Sequence, residues 1–386
     1  MSISELKINL KYGLEKLIKT ALKIFSVFPV VNNRVIFQSF SGRQYSDSPR
    51  AISEYLKENG GDQLEIIWAF NQPEDYAYLE NEGIRLVRYK SLKYLYYALT
   101  SHVYVDNVEH WSILHFRPQQ QVINTWHGGG TFKQVGADRR DTGDAEKRHV
   151  IEKMDEVDWF VSSSKAFSDQ TIRGSFRYRH EILECGLPRN DILVAQDDSK
   201  TAELRKRLGT GSSRLVLYAP TFRNDHSRIS YDLDEKKLPS ALKERFGGDW
   251  KLLVRFHYYL EDSQLPQIGI RAGSEYDMQQ LLLACDVLIT DYSSSIWDFS
   301  LLKKPCFLYA PDLEQYQKER TFYSDPAIWP AIWAQDNDAL AHNIINFDEK
   351  AYLAKVEEYH RITGNKESGK ASQTVSELIR GICLKK

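Results

Sequence analysis

The feature that most constrains the fold is a rhythm of short apolar runs separated by helical stretches. RVIFQSF (34–40), EIIWAF (65–70), IRLVRY (84–89), HVYVDN (102–107), QVINTW (121–126) and DWFVSSS (158–164) read as strands. Helical segments such as PRAISEYLKENGG and SLKYLYYALTS lie between them. Strands that are apolar almost throughout, alternating with helices, predict a parallel sheet covered on both faces. The rhythm restarts after GLPRNDIL (186–193) with RLVLYAP (214–220), KLLVRFH (251–257), DVLIT (286–290) and PCFLYA (305–310). At 386 residues the chain is long for one core, and roughly 150 residues per domain is the usual scale. Two doubly wound α/β halves with a boundary near 190–205 are therefore expected. Such folds bind ligands in a cleft beyond the carboxyl ends of their strands.

The domain limits follow: 1–32 an N-terminal helix, 33–195 and 196–365 the two halves, and 366–386 a C-terminal helix. In the first segment Leu6, Leu10, Leu14, Leu17, Ile18, Ala21, Leu22, Ile24, Phe25 and Phe28 cover less than half of a helical wheel. Lys16, Lys19 and Lys23 lie opposite, while Lys7 and Lys11 fall within the apolar arc. Such a helix either lies on an anionic membrane surface or packs on the protein with its lysines in water. No cleavage-site pattern or run of about 20 apolar residues is present.

A formal charge of -2 argues against a general nucleic-acid binder. Cys185, Cys285, Cys306 and Cys383 form no CxxC pair, which supports neither a zinc site nor a disulfide framework and fits a reducing cytosolic compartment.

Four strand tips carry polar chemistry. NTWHGGG places His127 where a buried strand ends, before glycines that let a ligand approach the backbone. His127 either exchanges a proton with a ligand near neutral pH or closes a turn with a hydrogen bond. In ITDYSSSIWDFSLLKKP (289–305) a strand leads through serines into a helix, with Ser295 and Asp298 at capping-box spacing. This is either an anion site, most often for phosphate, or an ordinary capped turn. YAPTFRND ends on Arg223, and VRFHYY carries Arg255 and His257 on one strand face. Together these groups suit a cleft that handles phosphate. Asp232-Leu233-Asp234 and Asp336-Asn337-Asp338 match the common DxD pattern but sit in charged loops, and His102, His110 and His115 have no metal-ligand spacing.

WHGGGTFKQVG, GLPRND, LYAPTFR and LITDYSSSIWDFSLLKKPCFLYAPDLEQY resemble the CDP-glycerol glycerophosphotransferase family of teichoic acid synthesis, from about residue 100 to about 325. The resemblance implies a GT-B fold of two Rossmann-like halves. It implies an enzyme that moves glycerol phosphate from CDP-glycerol to a hydroxyl of a lipid-linked or polymer acceptor, releasing CMP. By position, His127 matches the family's general base and His257 the histidine near the diphosphate. Arg223 matches the arginine of its APTxR element, and Ser293 and Ser294 its TDYSS serines. Arg255, Ser295, Gly128 and Gly129 complete the expected substrate contacts, with Asp291 orienting a neighbour or ending a strand. Tyr258 departs from the usual proline after the second histidine, and Gly129-Gly130 from a threonine and proline. No cofactor and no obligatory metal are expected. CDP-ribitol remains an alternative donor, and a sugar-nucleotide glycosyltransferase or a non-catalytic scaffold an alternative class. The N-terminal helix fits an enzyme peripheral to the cytoplasmic face of the membrane.

Overall fold

A computed structural model describes residues 3–60, 63–140, 142–221, 232–256, 268–273, 275–319 and 321–384. In chain order the first sheet takes β1 (Val31–Phe37), β2 (Glu65–Phe70), β3 (Arg85–Arg88), β4 (Ser101–Asp106), β5 (Gln121–Asn124), β6 (Trp159–Ser162) and β7 (Glu181–Glu184). The second takes β8 (Arg214–Ala219), β9 (Trp250–Val254), β10 (Ile270–Arg271), β11 (Val287–Thr290), β12 (Cys306–Tyr309) and β13 (Ile332–Ala334). Strand order is β3-β2-β1-β4-β5-β6-β7 in one and β10-β9-β8-β11-β12-β13 in the other. Every pairing within them is parallel. Both orders reverse direction once, between β1 and β4 and between β8 and β11, the places where doubly wound sheets hold ligands.

Helices α1 (Ile3–Ala21), α2 (Asp47–Glu58), α3 (Leu92–Thr100), α4 (Asp144–Asp155), α5 (Asp191–Ala195), α6 (Asp198–Arg207) and α7 (Lys237–Phe246) precede α8 (Met278–Ala284). After it come α9 (Ser295–Ser300), α10 (Leu313–Glu319), α11 (Asn337–Ile345), α12 (Glu349–Thr363) and α13 (Ala371–Cys383). The chain divides into two units. The first takes the residues up to His127, Val135–Asp191 and those from Lys366 onward; the second takes Gly128–Gln134 and Ile192–Asn365.

In the first unit strand alternation sorts the core into two layers. Val35, Phe37, Trp68 and Phe70 pack with Ile52 and Leu56 of α2 and with Val375 and Ile379 of α13. Ile36, Ile67 and Ala69 face the other way, toward Tyr94, Leu95 and Ala98 of α3. In the second unit Val216, Leu217, Leu288, Ile289 and Phe307 form one core with Trp297, Trp329 and Tyr359. Since burying each such side chain stabilises by about 1.5–3 kcal/mol, these layers fix the strand tips on which polar groups stand.

The α-helical part of the N-terminal segment ends at Ala21, and a tighter 3₁₀ turn covers Leu22–Val27. That change of period turns Leu22 and Phe25 toward the core. On α1 the Tyr12 ring stacks on His149 at 3.9 Å. Lys16 pairs with Glu152 at 3.1 Å and Lys19 with Glu156 at 2.5 Å. Leu10, Leu14 and Leu17 are 65%, 59% and 70% exposed, so α1 meets α4 through polar groups and leaves these three leucines outside.

Beside that contact, buried His110 approaches Glu156 at 2.9 Å and Lys153 at 3.4 Å. Burial, helped by the Lys153 charge, pulls the His110 ring down to about 4. Its contact with Glu156 at neutral pH is therefore a hydrogen bond from a neutral ring. Burial alone would raise the Glu156 carboxyl, but His110, Lys153 and Lys19 outweigh it and hold it at about 2. Unfolded, His110 gains a proton below its ordinary 6.5, so its stabilising contribution is present above that pH and is lost as pH falls toward 4. Between pH 7 and 5 the wild-type chain should lose about 2 kcal/mol more than His110→Gln. Equal losses in urea unfolding would show that His110 does not titrate in this window.

Candidate active site

At the carboxyl edge of the first sheet, Asn124 shapes the exit of β5. Its Nδ2 donates to Asp106 Oδ1 at 2.7 Å and to the Val108 carbonyl at 2.8 Å, and its Oδ1 accepts from Trp126 N at 2.8 Å. Trp126 takes a left-handed φ of 50°, a conformation that L-residues keep only when neighbours hold it. His127 follows, half-buried, its ring 4.4 Å from that of Trp126 and 5.6 Å from that of Phe40.

His127 Nδ1 lies 2.7 Å from the Asn107 carbonyl oxygen. A carbonyl only accepts, so Nδ1 carries the hydrogen and Nε2 keeps the lone pair of the neutral ring. Asn107 is itself braced: its Oδ1 accepts from Phe40 N at 2.8 Å, and its Nδ2 donates to Ser39 Oγ at 3.2 Å. Below it, burial holds the Asp106 carboxyl well above the usual carboxylate range, against the pull of hydrogen bonds from Gln38 and Asn124. Arg189, from GLPRND, reaches Asp47 Oδ2 and the His127 carbonyl, both at 2.8 Å.

Gly128 and Gly129 pass into the second unit. For Gly130 the structure supplies a packing reason: a Cβ there would stand 2.1 Å from Cε2 of Phe132. Phe132 is buried between Trp329, at 4.6 Å, and Tyr359, at 5.9 Å.

On the second sheet Thr221 follows β8, Arg255 follows β9 and Asp291 follows β11, side by side in strand order. Asp291, 2% exposed, accepts from Thr221 N through both carboxylate oxygens at 3.0 Å. It ties Thr221 to the start of the serine turn. Ser293 Oγ accepts from Ser295 N at 3.2 Å and from Ser295 Oγ at 2.9 Å. The capping box expected from Ser295 and Asp298 does not form. Ser294 is the N-cap, without a side-chain cap, and buried Asp298 instead accepts from Gln279 Nε2 at 3.3 Å. The N–H groups of Ser295, Ile296 and Trp297 are taken up by Ser293 and Ser294. In a helix of six residues, anion affinity at this turn would rest on serine hydroxyls more than on a macrodipole. Arg255 Nη1 donates to the carbonyls of Ala272, at 3.0 Å, and Gly273. Burial pulls its guanidinium below the ordinary arginine value, against the pull of Asp277 and Glu275.

The structure thus gathers Asp291, Ser293, Ser294 and Ser295 at the turn from β11 into α9 of the second unit, with Arg255 two strands away after β9, and places His127 at the tip of β5 in the first. His257 and Arg223 lie outside the described residues. Asn107, Asp47, Arg189 and Thr221 escape the sequence reading. Only GLPRND drew notice, as a motif without a role. Among the described residues no group of three or more His, Cys, Asp or Glu is placed to hold a metal ion.

The family described as CDP-glycerol:poly(glycerophosphate) glycerophosphotransferase matches residues 20–381. A teichoic acid poly(glycerol phosphate) polymerase of Bacillus spizizenii is 29% identical over 83% of this chain and 85% of its own. A teichoic acid glycerol-phosphate transferase of Staphylococcus aureus is 29% identical over 97% of this chain and 99% of its own. Among solved structures, the wall teichoic acid polymerase TagF superposes with a TM-score of 0.81 at 26% identity, over 100% of this chain and 99% of that one.

Proposed function

Because this chain belongs to the CDP-glycerol:poly(glycerophosphate) glycerophosphotransferase family, we propose that it transfers glycerol phosphate from CDP-glycerol to a hydroxyl of a lipid-linked or polymer acceptor in teichoic acid synthesis. The observation that carries the mechanism is the Nδ1 contact of His127 with the Asn107 carbonyl at 2.7 Å, which assigns the lone pair to Nε2. That nitrogen takes the proton of the acceptor hydroxyl as its oxygen forms a bond to the β-phosphorus of the donor. The bond from that phosphorus to the bridging oxygen breaks, and CMP leaves with the electron pair. Catalysis of this kind gains chiefly from positioning and from groups that face the phosphoryl oxygens. Ser293 and Ser294 supply hydroxyl donors for the diphosphate, Ser295 steadies Ser293 through its own hydroxyl, and Gly128 and Gly129 let a ligand approach the backbone closely. Arg255, Arg223 and His257 supply cationic or titratable groups, and Asp291 holds the serine loop to Thr221. No metal takes part in this mechanism.

The test is CMP release by the full chain from CDP-glycerol and, separately, CDP-ribitol, with a glycerol-phosphate-primed lipid acceptor, in buffer with and without EDTA. Acceptor-dependent CMP from CDP-glycerol, unaffected by EDTA, is expected. Release from CDP-ribitol alone would reassign the donor. Release from neither would remove the reaction class.

No helix among the described residues is long and apolar enough to cross a membrane. We place the protein at the cytoplasmic membrane surface through α1, whose Leu10, Leu14 and Leu17 are exposed on a helix that also carries Lys11. Apolar side chains enter the acyl boundary while lysines meet anionic headgroups. Replacing the three leucines with serine should weaken partition onto phosphatidylglycerol vesicles at least about 10-fold. Undiminished co-sedimentation would exclude α1 as the anchor.

A further inference from the structure

The main chain of His127 is held as closely as its ring. Arg189, 62 residues downstream, donates from Nη1 to the His127 carbonyl at 2.8 Å. The same nitrogen reaches Asp47 Oδ2 at 2.8 Å. Both partners of this ion pair are nearly inaccessible, Arg189 at 7% and Asp47 at 5%. A buried pair adds little net stability, since desolvating two charges offsets most of their attraction. What this pair does add is direction: a planar guanidinium fixed by a carboxylate holds one donor on one peptide oxygen.

That peptide requires holding. Trp126, just before it, has a φ of 50°, and Asn124 Oδ1 secures only its N–H side. Arg189 secures the next carbonyl. The loop that presents Arg189 is fixed in turn by Glu367. One carboxylate oxygen accepts from Leu187 N at 2.9 Å and the other from Asn190 Nδ2 at 2.8 Å. Gly186 has a φ of +93°, and a Cβ there would stand 2.7 Å from Glu367 Oε2, so glycine is required where the loop meets that carboxylate. Asp47 also takes a left-handed φ, of 63°, while its Oδ1 accepts from Ser48 N at 2.6 Å.

We infer that the Asp47–Arg189 pair is a positioning device for His127: it fixes the peptide that follows His127 so that the imidazole meets the Asn107 carbonyl through Nδ1 and presents Nε2 as the proton acceptor. This rests on the reading of His127 as the base. Asp47 and Arg189 act through His127 and are positioning residues.

The test uses the full chain and a double-mutant cycle. Arg189→Lys keeps a positive charge opposite Asp47 but loses the planar fork. It is expected to lower kcat about 10- to 100-fold, the scale of a small misplacement of a reacting group, with KM for CDP-glycerol changed by less than about twofold. In a His127→Ala background the same substitution should cost less than about twofold, because no base is left to position. Equal losses in both backgrounds would overturn the assignment in favour of a general structural role. A second readout needs no turnover. In chain labelled with ¹⁵N-histidine, the His127 signal, identified by its loss in His127→Ala, should report hydrogen on Nδ1 in the wild type. It should report a mixture of tautomers in Arg189→Lys and Asp47→Asn. An unchanged tautomer in both variants would overturn the proposal. If the wild type releases no CMP from either donor, the functional reading fails, and the tautomer alone decides whether the pair positions the ring.

Discussion

Replacing His127 with alanine is expected to lower acceptor-dependent CMP release by about 10² to 10⁴-fold, the usual contribution of a positioned general base. The loss should appear in kcat, since the ring is assigned to the acceptor's proton and not to the donor's phosphates. Stability should change far less. The ring is half-buried, and its contact with the Asn107 carbonyl is a single hydrogen bond, worth about 1 kcal/mol net. The two effects therefore separate: a variant that unfolds at nearly the same urea concentration yet turns over hundreds of times more slowly identifies chemistry. Activity within about threefold of wild type would remove His127 from the role.

The second large effect is expected from Phe132→Ala, which should destabilise the second unit by about 3–5 kcal/mol. Phe132 is 2% exposed, with Trp329 and Tyr359 against its ring, so truncation leaves a cavity that rigid aromatic neighbours fill poorly. The same ring explains Gly130, and a coupled prediction follows. Gly130→Ala should be strongly destabilising in the wild type, where its Cβ would meet Phe132 Cε2 at 2.1 Å. It should be nearly neutral in Phe132→Ala. Urea midpoints for the four proteins close the cycle. A cost for Phe132→Ala below about 1 kcal/mol, or additive losses, would contradict this packing account.

How much of this was legible in the sequence depended on the physics of each element. Strands buried on both faces, such as EIIWAF and DVLIT, announce themselves as apolar runs. The edge strands other than β3 do not: β7 begins and ends on glutamate, β10 has two exposed residues, and β13 is three residues long. All three went unread. His127 was visible because a histidine after a buried strand and before glycines is unusual company. Asn107 was hidden within an apparent strand end, and Asp47 and Arg189 act on a backbone carbonyl from distant segments. No sequence spacing encodes which strand tips lie side by side. Ser295 and Asp298 had the spacing of a capping box, but α9 begins one residue earlier than that requires, with Ser294 as the cap. For α1 the wheel separated apolar from basic residues. Which side meets the protein was decided by Glu152 on α4 and Glu156 at its C-cap, which a helical wheel does not contain.

The return of the chain to its first unit has a consequence for synthesis. Glu367, which holds the Arg189 loop, and α13, which covers one layer of the first core, are translated only after Ile192–Asn365, the whole second stretch of the other unit. At about 5–20 residues per second those intervening residues occupy a ribosome for about 10–35 s. Throughout that time Val35, Phe37 and Trp68 lack one helix that will bury them. The nascent first unit therefore passes through a prolonged stage with an uncovered apolar face, and the setting of His127 is completed only after the second stretch of the other unit has been made.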